Sequence, residues 1–150
     1  MLLSSALLLS HTLCEQDRRR WKQVGAFLAL LRTVKNRIDC YGEPIDTILS
    51  RCDAALLLAC GHRAGRDAPD FFAFLEGCEL CLSEGERQIL YEFSGELGRG
   101  YRAEQVKVCE YYMARLDRAR EALEEELPGR RKMIRTVCLS ASLGAILMLI

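Results

Sequence analysis

Apolar residues are concentrated at the two ends of the chain, and each end is followed inward by basic residues. Residues 1–13 read MLLSSALLLSHTL, and Arg18, Arg19, Arg20 and Lys22 come next. Residues 137–150 read VCLSASLGAILMLI, preceded by Arg130, Arg131, Lys132 and Arg135. Between the ends, the spacing of apolar positions predicts helices. Phe27, Leu31, Val34, Ile38 and Tyr41 recur at alternating steps of four and three, which gives one apolar stripe on a helix over about 15–41. Gly42 is placed to end that helix and Pro44 to open the next, whose expected core side is Ile45, Ile48, Leu49, Cys52, Leu56 and Ala59. Residues 61–69 read as a loop, followed by a short aromatic helix carrying Phe71, Phe72, Phe74 and Leu75.

Ser83 and Glu86 have the spacing of a capping box, and Ile89, Leu90, Phe93 and Leu97 form the apolar face behind it. Gly98-Arg99-Gly100 reads as a helix–helix turn. A last long helix is expected over about 101–127, with Val106, Cys109, Met113, Leu116 and Leu123 inward. Its other face is dense in charge. Pro128-Gly129 is expected to break or bend the chain before the tail. No strand-like alternation appears. The fold class is therefore all-α: an antiparallel helical bundle head with a C-terminal transmembrane helix and a short apolar N-terminal helix. The boundaries are 1–14 for the N-terminal segment, a possible short membrane anchor, 15–132 for the helical cytoplasmic domain, and 133–150 for the C-terminal anchor.

Length decides how firm each membrane segment is. The fourteen residues of the tail cover about 21 Å of a hydrocarbon core about 30 Å thick. The tail reaches across if Met133 and Ile134 join it and Arg135 snorkels. Its last seven residues carry no polar side chain. The N-terminal run is diluted by Ser4, Ser5, Ser10, His11 and Thr12, and it lacks the basic start and small-residue cleavage site of a signal peptide. If both ends insert, the positive-inside rule puts both basic clusters and the head in the cytoplasm.

Composition narrows function. The 21 basic and 21 acidic residues cancel, which argues against nucleic acid as a partner. The eight cysteines are scattered, most of them where a helix buries a small apolar group, so reduced thiols fit better than a disulfide framework. Cys60, His62, Cys78 and Cys81 supply four donors of the type zinc takes, but Cys-x-His is unusual spacing for a knuckle. Core packing is the preferred reading, with no metal and no cofactor. His11 and His62 are the only histidines, and neither a nucleophile elbow nor a phosphate loop is present. A head held at a membrane without a catalytic constellation acts by contact, so no enzymatic activity and no small-molecule substrate are expected.

The order of features resembles the stage III sporulation protein AB family. One match is LLRTVKNRIDCYGEPI at 30–45, in which Tyr41, Gly42, Pro44 and Ile45 look like the family's long helix ending in Tyr-Gly-x-Pro-hydrophobe. The other begins at Ile89: Phe93, Leu97, Gly98 and Gln105 resemble the family's Phe-rich helix, Leu-Gly turn and following Gln. The Lys132-Met133 run and the Leu-rich tail with Gly144 resemble its ending. Departures are Ser94 where Gly is usual, Tyr101 where Asp is usual, and Pro128-Gly129 inside a helix usually continuous. The resemblance implies endospore formation: a non-enzymatic scaffold in the complex linking mother cell and forespore, at the mother-cell membrane. It implies similarity to the inner-membrane platform protein (the F component) of type II secretion. The implied partners are the ATPase stage III sporulation protein AA and other membrane proteins of the complex, besides the lipid bilayer. The alternatives are a cysteine-rich zinc or redox protein at the membrane, or an unrelated tail-anchored helical scaffold.

Overall fold

The computed structural model describes the backbone of residues 2–63 and 68–149, and their side chains apart from 2–11, 14, 130, 131, 134, 135 and 137–149. Among the described residues six helices follow in order: α1 (Leu2–Tyr41), α2 (Ile45–Arg51), α3 (Ala54–Ala59), α4 (Phe71–Glu76), α5 (Glu84–Glu96) and α6 (Arg102–Leu149). The fold is all-α. Among the described residues the only β pairing is an isolated bridge between His62 and Cys78. Residues 64–67 of the expected 61–69 loop lie outside the described set.

α1 and α6 are the frame. They run antiparallel, as their ion pairs require: Lys35 meets Glu110 at 2.8 Å and Arg102 meets Asp39 at 3.6 Å. The stripe predicted on α1 is buried at Phe27, Leu31, Val34 and Ile38. From α6 it meets Cys109, Tyr112 and Leu116 in one core. The short helices cover its remaining side, bringing Ile48, Phe71, Phe74, Leu75, Leu90 and Phe93. Phe93 packs edge-on against Phe71 with ring centres 5.0 Å apart, and against Tyr112 at 5.6 Å.

Local chemistry sets the helix starts. Ser83 accepts from Glu86 N, while the Glu86 carboxylate accepts from Ser83 N at 2.8 Å, completing the predicted capping box. Asp70 caps α4 through Ala73 N. The single helix expected after Pro44 is two. Cys52 turns extended, and Asp53 caps a new start by accepting from Ala55 N, because its carboxylate competes for N–H groups a continuous helix would leave inside. Pro44 is the cap residue of α2 rather than its first helical position. Ala59 is exposed, as the new helix axis turns it outward.

The break expected at Pro128-Gly129 is absent: α6 runs through it and on past residue 133, and α1 is continuous across residues 14 and 15. A proline inside a helix costs one hydrogen bond and crowds the carbonyl four residues back, yet here it does not end the helix. Among the described residues no helix is long and apolar enough to cross a membrane. The side chains of 137–149 lie outside that set.

Candidate interaction site

α1 has to stop before the chain can reverse into α2. Gly42, at φ +62°, accomplishes this by donating its N–H to Ile38 O at 3.0 Å. A side chain there would be strained. Glu43 follows, and its Oε1 lies 3.2 Å from Arg51 and 3.6 Å from Arg37. Pro44 then opens α2. The second reversal lies at the same end of the bundle. Leu97 donates its N–H to Phe93 O as α5 ends, and Gly98 and Gly100 take φ +85° and +86°. Tyr101 lacks a capping side chain, but Glu104 replaces half of the box by accepting from Tyr101 N at 3.1 Å. Gln105 donates to Gly100 O at 3.2 Å and holds the turn shut.

Between the two reversals is a groove of about 370 Å³ lined by Ile38, Gly42, Glu43, Pro44, Ile45, Gly98, Arg102 and Gln105. Residues 30–45 and 89–105, far apart in sequence, thus build one surface. Of the positions singled out from sequence, Gly42, Pro44, Gly98 and Gln105 line it. Tyr41 precedes it and is 71% exposed, not buried, with the Arg37 guanidinium 5.8 Å from its ring centre. Tyr101, across the second turn, is 83% exposed. Phe93 is fully buried and structural, and Leu97 is half-buried against the core. Ile45, from the Tyr-Gly-x-Pro-hydrophobe match, lines the groove as well; Ile38 was read only as core, and Glu43 and Arg102 were missed by sequence reading. Only the unassigned middle position of Tyr-Gly-x-Pro pointed at Glu43.

The cysteine and histidine candidates lie on two neighbouring segments, joined by the His62–Cys78 bridge, but do not converge as a ligand set. Cys60 is fully buried; Cys78 and Cys81 lie in the extended link between α4 and α5, not on a helix, and Cys81 is exposed. The reason is Gln23. It is buried on α1, donates to Cys60 O at 2.9 Å and Glu79 O at 2.8 Å, and accepts from Cys81 N at 2.7 Å, so it draws both extended passes onto α1. His62 stacks on Phe74 at 4.9 Å. Burial pushes the Cys60 thiol up and the Cys78 thiol to about 12, which keeps both protonated at neutral pH. Among the described residues no three His, Cys, Asp or Glu side chains are grouped to hold a metal.

Of the basic residues grouped near the apolar ends, Arg18, Arg19 and Lys132 are exposed. Arg20 is turned inward. Its Nε and Nη2 donate to the Glu86 carboxylate at 2.8–3.1 Å, because Glu86 is only 3% exposed and needs a counter-charge. The hydrogen bond from Arg20 to Glu86 raises the arginine's own pKa further. The side chains of Arg130, Arg131 and Arg135 lie outside the described set.

Comparison with known families is decisive here: the model for stage III sporulation protein AB matches residues 1–150, the whole chain. The chain belongs to the stage III sporulation protein AB family. Membership implies a role in sporulation. No curated protein and no solved structure matches the chain. The family match covers both segments that form the groove, and both long helices that carry it.

Proposed function

We propose that this member of the family is a non-enzymatic membrane platform of the channel complex between mother cell and forespore. Its apolar tail anchors it, and its helical head receives a cytoplasmic ATPase, stage III sporulation protein AA, and relays that action to other membrane components. The observation that carries the reading is the family match over residues 1–150. The position of the groove supports it. Tyr41 lies 28 residues along α1 from Leu13, which is about 40 Å of helix, so the groove is at the end of the head farthest from the apolar termini. The chemistry of the groove also supports contact rather than catalysis. Glu43 is held by Arg37 and Arg51, Arg102 by Asp39, and Gln105 by Gly100. Each of these side chains makes a structural contact, although Glu43 Oε2 is buried without a hydrogen-bond partner. Exposed tyrosines and arginines beside an apolar cleft are the residue types enriched where proteins meet.

The test is complementation of a deletion strain. Ile45, half-buried in the groove, is changed to Glu. Spore formation and co-purification with the ATPase are expected to fail, while abundance and melting temperature stay near those of the parent. A chain ending at Lys132 is expected to fold, leave the membrane fraction and give no spores. Normal spores from the deletion strain itself would overturn the sporulation role in that organism.

A further inference from the structure

The two apolar ends are not level. Three contacts fix the register of α1 against α6: Arg120 lies over Trp21 with 4.6 Å to the ring centre, Lys35 meets Glu110 at 2.8 Å, and Arg102 meets Asp39 at 3.6 Å. The two residue numbers in each pair total 141 to 145. Both helices continue without interruption, α1 to Leu2 and α6 to Leu149. At an equal rise along the two helices, Leu13 stands level with about residues 128–132 and Leu7 with about residues 134–138. The basic cluster from Arg130 to Arg135 is therefore level with the second half of the N-terminal apolar run. The tail segment from Val137, which carries no charged residue, begins about 10 Å deeper than that run does.

One bilayer plane cannot serve both boundaries. If hydrocarbon begins at Leu13, four basic residues are carried inside it, where charge is strongly disfavoured. If it begins at Val137, those residues sit among the headgroups, where basic side chains bind anionic lipid. We infer that the chain meets the bilayer with a stagger: the tail from Val137 enters the hydrocarbon, and Leu7–Leu13 of α1 lies in the headgroup layer beside the basic cluster. This rests on the membrane reading proposed above, and it assigns Leu7–Leu13 a lipid surface rather than a span. Ser10, His11 and Thr12 within that segment suit a polar layer.

Depth-resolved tryptophan quenching tests it on the full chain. In a Trp21→Phe background, Leu9→Trp and Leu143→Trp are placed separately in vesicles of phosphatidylcholine and phosphatidylglycerol. The lipid chains are brominated either near the headgroup or near the bilayer centre. Leu8→Trp serves as a second probe, with helicity by circular dichroism as the folding check. Leu9→Trp and Leu8→Trp are expected to be quenched about twofold more by the shallow bromines, and Leu143→Trp about twofold more by the deep ones. Equal deep quenching at all three positions overturns the stagger and leaves the membrane reading standing. No quenching of Leu143→Trp by either lipid overturns both.

Discussion

Gly61 sits where two extended passes are drawn against α1. Its φ is +92°, and a Cβ there would collide with Glu79 O and stand 2.8 Å from Gln23 Nε2. Gly61→Ala is expected to cost about 1–3 kcal/mol, since the conformation and the space both exclude a side chain. Chemical denaturation with an unchanged slope would measure it. The buried thiols give a second prediction. Cys78 has its pKa pushed up to about 12 and Cys109 to about 11, each chiefly by burial, from an ordinary 9.0. Their contribution to stability is complete below pH 9, because both states then hold the proton. As pH rises above 9 the unfolded thiols ionise and the folded ones do not, so stability falls progressively, toward pH 11 for Cys109 and pH 12 for Cys78. A melting-temperature series over pH 8–11 should show that decline, and Cys109→Ala should flatten part of it. At neutral pH a thiol reagent should modify exposed Cys40 and Cys81 rapidly, and reach Cys60 and Cys109 only on unfolding.

Between elements, the tie from α1 to α5 carries more weight than its location suggests. Glu86 accepts from Ser83 N within its own turn and from Arg20 across the bundle. Glu86→Ala removes both and leaves Arg20 facing a hole, and about 3 kcal/mol is expected, the low end for breaking a buried pair, because Arg20 keeps some contact with water. Loss of amide-exchange protection at the start of α5 would locate the effect. The capping box was legible in the sequence because Ser83 and Glu86 lie one turn apart. Arg20 is 66 residues from Glu86, and no local pattern pairs them. Gln23 was illegible for the same reason, since its three partners lie in segments that only the folded chain brings near. The break at Asp53 was readable, as a carboxylate immediately before a potential helix start. It was masked by the apolar period running through it. Pro128 misled in the opposite direction. A helix of 48 residues absorbs one proline, and Pro128→Ala is expected to strengthen it, by up to about 3 kcal/mol locally, seen as slower amide exchange over residues 124–132.

The whole molecule is a pair of long helices with a small helical cap packed along one side. Its class and its main core stripe were legible because helical period is a local property. The groove was not, although Gly42, Pro44, Gly98 and Gln105 had each been singled out from residues 30–45 and 89–105. Two turns had to be brought to one end before their residues formed a surface. Charge reversal at Arg102, exposed and paired with exposed Asp39, is expected to change stability by less than about 1 kcal/mol. It should nevertheless reduce spore yield if the groove is where the partner docks. Equal spore yields for Arg102→Glu and the parent would place the contact elsewhere.

The continuity of α1 and α6 has a mechanical consequence. Under the anchoring proposed above, helices of 40 and 48 residues, clamped to each other along the head, act as a lever whose fulcrum is the membrane surface. A tilt of about 5° at the base moves a point about 40 Å away by about 3–4 Å, roughly the spacing between adjacent side chains. Under that anchoring a push delivered at the far end returns to the bilayer as torque, carried by an unbroken α1 and by an α6 whose softest point is Pro128.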